Sequence, residues 1–239
     1  MQAIILSGGL GTRLRPLTND IPKVMVPIGG KPVLEHHIKQ LKRSGVTEIL
    51  INLHYLPEVI KSYFGDGSKF GVNITYKYEP EILGTAGAVK NFEDCLKDEF
   101  LVIYGDVLSF VDYKKFKDFF DGKFDAIGAE IVGDTDHPFD SDLAEVGEDL
   151  RFKKIHTKPH QQIPEKYKSM KAIFIFKKAI LQFIPQGKYY EIDHQLLPDI
   201  LSRGLDFYGY ETQDYLKDIG TMERYKKAQE DYGRLFSKI

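Results

Sequence analysis

Residues 3–14 read Ala3-Ile4-Ile5-Leu6-Ser7-Gly8-Gly9-Leu10-Gly11-Thr12-Arg13-Leu14. The apolar run Ala3-Ile4-Ile5-Leu6 has the character of a buried strand. It enters directly a turn with glycine at positions 8, 9 and 11. Glycine lets a backbone take positive φ and approach a ligand closely. Successive N–H groups in such a turn converge on an anion, and Arg13 adds a fixed charge on a planar donor fork. The chain contains no Gly-x-x-x-x-Gly-Lys-Ser/Thr, which excludes the P-loop. The third glycine of a dinucleotide fingerprint would fall on Leu14, which weakens that reading too.

Outward from this turn, strand and helix patterns alternate. Val33, Leu34, Ile38 and Leu41 recur at helical spacing over residues 32–44. Residues 48–53 read as a second strand and 58–64 as a short helix. Val72 to Tyr78 alternates and is rich in β-formers, a third strand. A helix over about 86–96 leads to Phe100-Leu101-Val102-Ile103-Tyr104, a continuous apolar run typical of strands covered on both faces. Strand–helix alternation of this kind predicts an α/β fold with a mostly parallel, Rossmann-like central sheet and helices on both faces. Ligands in such sheets bind beyond the carboxyl ends of the strands, where the glycine turn and Gly105-Asp106 both fall. The second half is mixed. A helix is expected over 113–120, strands over 125–132, 143–157, 171–176 and 207–210, and helices over 191–203 and 221–236. Residues 133–142 are polar and read as a solvated loop.

Composition narrows the function class. The 239 residues carry a net charge of −2, which provides no basic field for nucleic acid. Cys95 is the only cysteine, so no intrachain disulfide is possible, and a reducing cytoplasm is expected. No signal peptide or transmembrane stretch is read, so no membrane partner is expected. The seven histidines show no metal-ligand spacing, and His36-His37 are adjacent on a helix, facing different ways.

From Arg13 the chain continues Leu14-Arg15-Pro16-Leu17-Thr18, then Pro22-Lys23-Val24-Met25-Val26-Pro27-Ile28, then Lys31-Pro32-Val33-Leu34. Taken in order, this resembles the opening motif of the sugar-1-phosphate nucleotidylyltransferases, or nucleotide-sugar pyrophosphorylases: Gly-Gly-x-Gly-Thr-Arg-Leu, a spacer, Pro-Lys, then Lys-Pro. The resemblance implies one nucleotidylyltransferase domain over 1–239. Its nucleotide-binding half would be 1–110 and its sugar-phosphate half 111–239, with no β-helix beyond. It also implies magnesium, a nucleoside triphosphate and a sugar 1-phosphate as partners, and pyrophosphate as product. Relatives often form dimers or tetramers, so a homo-oligomer is compatible with it.

Carried over residue by residue, the family pattern makes Arg13 and Lys23 catalytic. Leu6, Gly8, Gly9, Gly11, Thr12 and Gly105 join the nucleotide contacts. The block Leu83-Gly84-Thr85-Ala86-Gly87 would pack against base and ribose, through Gly84 and Thr85. Glu79 and Glu81, just upstream, are candidates for the base, Glu79 the one carried forward, since a carboxylate suits the N1–H and N2–H₂ of guanine. Asp106 and Asp218, the latter in Asp218-Ile219-Gly220-Thr221, match the two magnesium-binding segments; two carboxylates with phosphates and water suit that ion. Without the family, Asp106 would be an ordinary turn acid, and Thr221 a helix cap. Lys158 matches the sugar-phosphate lysine of a Glu-Lys-Pro motif, with Glu191 and Asp193 as further sugar contacts. Here the pattern departs. The motif's glutamate is Thr157, and the next block, Asn-x-Gly, falls on Met170-Lys171-Ala172. The departures lie on the sugar side only.

The opening Met-x-Ala-Ile-Ile-Leu and the ending Asp218 to Tyr225 are most similar to guanylyltransferases acting on mannose-type or heptose 1-phosphates. Uridylyl or thymidylyl transfer to another sugar 1-phosphate is the alternative, and a non-catalytic nucleotide-sugar sensor a third.

Overall fold

The computed structural model describes residues 1–236. The chain forms two compact units, neither continuous in sequence. The first holds Met1–Ile82, Ile103–Asp112 and the segment from Asp214; the second holds Leu83–Val102 and Tyr113–Gln213.

In the first unit, Gln2–Leu6 pairs in parallel with Glu48–Leu53, from Gln2↔Glu48 to Leu6↔Asn52. Asn73–Tyr78 continues the sheet in parallel, from Glu48↔Asn73 to Leu53↔Tyr78. The helices Val33–Arg43 and Pro57–Phe64 make the crossovers. Val33, Leu34, Ile38 and Leu41, the predicted apolar face, are all fully buried. Each such side chain contributes about 1.5–3 kcal/mol. Four short strands escaped the sequence pattern. Pro27–Ile28 pairs antiparallel with Lys31–Pro32. Val107–Ser109 pairs antiparallel with Leu216–Asp218, setting Asp218 opposite Val107. The terminal helix Met222–Phe236 begins where the Thr221 hydroxyl accepts the Arg224 N–H at 3.3 Å, a regular N-cap bond. Its Ala228 packs with Ile28, Val33, Leu108 and Ile219.

The second unit is mostly antiparallel. Lys168–Lys177 pairs with Gly128–Gly133 and with Leu143–Val146, which pairs in turn with Phe152–His156. Phe207–Glu211 joins Gly128–Gly133 in parallel. Phe174, Phe176 and Phe207 are buried in its core.

Four expectations need correction here. The strand expected over 143–157 is two, Leu143–Val146 and Phe152–His156, and the helix expected over about 86–96 runs Gly84–Asn91. The helix expected over 191–203 opens as a wide turn, Ile192–Leu196, and becomes α-helical only over Leu197–Ser202. Pro198 explains this: it has no N–H for the His194 carbonyl, and its ring would crowd that carbonyl in a regular helix. The polar stretch 133–142 is not uniformly solvated. Ser141 and Asp142 are buried, at 8% and 7% exposure.

Candidate functional site

Arg13, Lys23, Asp106 and Asp218 all belong to the first unit. Gly11 takes φ +65°, and its carbonyl accepts the Thr18 hydroxyl at 2.7 Å, which pins the glycine turn. Gly105 follows the apolar strand Glu99–Tyr104. Its N–H donates to Leu6 O at 2.9 Å, and an added Cβ would stand 2.7 Å from that oxygen. Only glycine fits so close a crossing, and it delivers Asp106 beside the first turn.

The Lys23 ammonium forms an ion pair with the Asp106 carboxylate. Burial alone would raise the Asp106 pKa; Lys23, and to a lesser extent Arg13, overrides it and holds the carboxyl below its ordinary range. Asp218 arrives through the antiparallel pair, and the next residue, Ile219, donates its N–H to Asp106 O at 3.0 Å. The Asp218 carboxylate accepts the Gly220 N–H at 2.5 Å and pairs with Arg224. A Cβ added at Gly220 would lie 2.8 Å from Asp218 Oδ1 and 3.1 Å from an Arg13 guanidinium nitrogen. Two acids distant in sequence and two cations from the amino end therefore converge. Among the described residues no three His, Cys, Asp or Glu side chains are grouped to hold a metal ion by themselves. Two carboxylates fit magnesium that keeps phosphate and water as its other ligands.

His37 sits under this turn, almost wholly buried. Burial, then the neighbouring His36, hold its pKa down to about 4. The Gly105 and Val107 backbones approach its ring without the geometry of full hydrogen bonds. His36 turns elsewhere, its Nε2 2.9 Å from Ile28 O.

Behind the turn lies a polar relay that the sequence reading missed. The Ser7 N–H donates to Asn52 Oδ1 at 2.7 Å, and Asn52 Nδ2 donates to Glu79 Oε1 at 3.0 Å. Both side chains are buried, Glu79 at 1% exposure and Asn52 at 4%. Asn52 was legible as the single polar residue in Ile49-Leu50-Ile51-Asn52-Leu53. Gly8 faces it: an added Cβ would stand 2.9 Å from Asn52 Nδ2. Gly9 has no protein atom within 4 Å of such a Cβ, and Thr12 is exposed.

In the second unit, Gly84 and Thr85 open the helix Gly84–Asn91. The Thr85 hydroxyl accepts the Ile192 N–H at 2.8 Å, and the Ala86 and Gly87 N–H groups donate to Tyr190 O. This turn thus fixes the segment that carries Glu191 and Asp193. Lys158 is held by Asp142: its N–H donates to Asp142 Oδ1 at 3.0 Å, and its Nζ is 3.1 Å from Oδ2. Burial would lower the Lys158 pKa; Asp142 and then Asp193 outweigh it and raise it. His194 Nε2 lies 3.0 Å from Asp142 Oδ1, and its Nδ1 3.3 Å from Glu191. His160 Nε2 donates to Ser141 O at 2.7 Å. So the segment read as a solvated loop is a brace for the Lys158 turn. Thr157 is exposed.

A family model described as nucleotidyl transferase matches residues 2–234. The chain is 31% identical over 240 residues to the mannose-1-phosphate guanylyltransferase of Mycobacterium tuberculosis, a match covering 98% of this chain and 65% of that protein. It is also 31% identical to the D-glycero-alpha-D-manno-heptose 1-phosphate guanylyltransferase of Aneurinibacillus thermoaerophilus, over 97% of this chain and 98% of that one. The crystal structure of HddC from Yersinia pseudotuberculosis superposes with a TM-score of 0.81 at 30% identity, covering 97% of this chain and 99% of the other. The chain thus spans just under two thirds of the mannose relative and nearly all of the heptose relative. The first-turn geometry and a match along almost the whole sequence agree: the chain belongs to the nucleotidyl transferase family.

Proposed function

We propose that this protein transfers GMP from GTP to a sugar 1-phosphate of the mannose or manno-heptose type, releasing pyrophosphate. The observation that carries this reading is the convergence of Arg13, Lys23, Asp106 and Asp218 beside the glycine turn. The names of the relatives supply the base and the sugar class.

The attacking oxygen belongs to a phosphate that is already anionic, so the reaction needs no general base. Its difficulty is bringing polyanions together and stabilising charge at the α-phosphorus and on the leaving group. Positioning and electrostatics supply most of the rate in such transfers. The N–H groups of the glycine turn and Arg13 hold the triphosphate tail and then the departing pyrophosphate. Lys23 leaves Asp106 for the α-phosphoryl group as negative charge builds there. Glu79, oriented by Asn52, accepts the N1–H and N2–H₂ of guanine. Lys158 steadies the attacking phosphate. Magnesium, held by Asp106 and Asp218, would neutralise charge on the α-phosphate.

The test is a matrix of GTP, UTP, dTTP, CTP and ATP against mannose, manno-heptose and glucose 1-phosphates, read as pyrophosphate release. GTP with a manno-configured sugar is expected to lead. Faster turnover of UTP or dTTP would reassign the base, and silence across the matrix would sink the reading.

A further inference from the structure

Each acid at the first-unit turn already carries a cation of its own. Lys23 pairs with Asp106, and Arg224 pairs with Asp218 Oδ2. The other Asp218 oxygen, Oδ1, accepts the Gly220 N–H at 2.5 Å. Arg224 lies in the first turn of the helix Met222–Phe236, where its own N–H donates to the Thr221 hydroxyl at 3.3 Å. The backbone on both sides of Asp218 is fixed. Leu216–Asp218 is strand-paired, and Ile219 is fully buried with Ile28, Val33, Leu108 and Ala228. The fold itself therefore presents Asp218 to Arg224. The Arg224 and Lys23 side chains are 14% and 12% exposed, against 32% and 29% for their carboxylates. The cations lie deeper than the acids, where salt screens them little. Arg13 completes the group, with a guanidinium nitrogen 3.1 Å from where a Gly220 Cβ would stand. Three cations thus meet two acids, an excess of positive charge.

We infer that Arg224 is the resident counter-ion of Asp218, a positioning residue that, with Lys23 on Asp106, keeps a free divalent cation off the two aspartates until a polyphosphate arrives. This rests on the function proposed above, which makes that polyphosphate a nucleoside triphosphate. A divalent cation arriving alone meets more positive than negative charge, beside two partly buried ion pairs. A triphosphate brings its own negative charge and offers Lys23 a second anion, so the balance at the turn reverses. Arg224 need not leave. An ionised carboxylate has about four lone-pair sites, and Gly220 and Arg224 take one each. The pair thus holds the Asp218 carboxylate in one orientation while weakening its pull on an ion that comes without phosphate.

The test is titration of the nucleotide-free protein with Mn²⁺, a stand-in for magnesium, read by electron paramagnetic resonance. Wild type is compared with Arg224→Met, Arg224→Gln, Arg224→Lys and the double variant Arg224→Met with Asp218→Asn, each checked for folding by melting. Arg224→Met is expected to bind Mn²⁺ about tenfold or more tightly than wild type, because a unit charge beside the carboxylate is gone. Arg224→Lys keeps the charge and should stay near wild type. Adding Asp218→Asn should cancel the gain and so assign it to that carboxylate. A merely structural role for Arg224 predicts the opposite sign, since a misplaced Asp218 holds the ion less well. Equal or weaker Mn²⁺ binding in folded Arg224→Met overturns the inference, as does a gain that survives Asp218→Asn. If Arg224→Met does not fold, Arg224→Gln, which keeps a donor for Asp218 without the charge, carries the same comparison. A wild type inactive on every pair of nucleotide and sugar 1-phosphate sinks the transfer reaction instead; the Mn²⁺ comparison needs no turnover and still decides the role of Arg224.

Discussion

At Lys23 the ammonium is paired with Asp106, so its proposed role requires it to exchange that carboxylate for the α-phosphoryl group. Lys23→Ala is expected to cost about 2–4 kcal/mol of transition-state stabilisation, the scale for one donor aimed at developing charge. The loss should appear in kcat more than in KM for GTP. Near-normal kcat would remove Lys23 from the mechanism. Glu130 makes a prediction of opposite kind, about pH. Its folded pKa is raised well above the ordinary 4.5, so between 4.5 and that higher value the folded state binds more protons than the unfolded chain. Stability from this group is therefore full below 4.5 and falls as pH rises through the window, by at most about 1.4 kcal/mol per pH unit. Glu130→Gln carries no such titration. Urea denaturation of both proteins from pH 4.5 to 8 should show the variant gaining on wild type as pH rises; parallel curves would mean that Glu130 is ionised in the fold.

The strand Lys168–Lys177 departs from the family's sequence pattern at a backbone position that favours glycine. Its register jumps from Met170↔Val132 to Phe174↔Glu130, and within the jump Ala172 takes φ +57°. The family pattern puts glycine there. Alanine in this left-handed region costs about 1–2 kcal/mol. Glycine gives back about 0.5–1 kcal/mol through its greater chain entropy when unfolded. Ala172→Gly should thus leave stability unchanged or raise it by up to about 1.5 kcal/mol, read from the urea midpoint. A clear loss would show that the Ala172 methyl group packs usefully. The segment 133–142 carries a separate lesson. Its composition is that of a loop, and chain direction alone gives no sign that Asp142 meets Lys158 and His194, 16 and 52 residues on.

For the molecule as a whole, a ligand bound only by the folded state raises the melting point. At 100 times its Kd, GTP with magnesium should add about 2.7 kcal/mol. Asp106→Asn with Asp218→Asn should abolish the magnesium-dependent part of that shift; if it persists, the two aspartates do not share the ion. Among the described residues no helix is long and apolar enough to cross a membrane. The parallel strands of the first unit, the buried face of Val33–Arg43 and the glycine turn were all legible from local pattern, because burial periodicity and positive-φ positions are written in neighbouring residues. The residues proposed for the phosphate side could be named from the sequence because their motif lies largely within one short stretch. What the chain order alone could not decide was which distant groups meet. Asp218 reaches Asp106 only through the pairing of Leu216–Asp218 with Val107–Ser109, two strands too short to leave a periodic trace. Asn52 reaches Glu79 through a bond between side chains, and Asp142 reaches Lys158 through a bond from backbone to side chain, and no spacing rule encodes either. Sequence determined the main strands and helices and the glycine turn, since these follow from local chemistry. Tertiary structure decided the partners of each buried acid, because removal from water makes a charge depend on whatever the fold brings beside it.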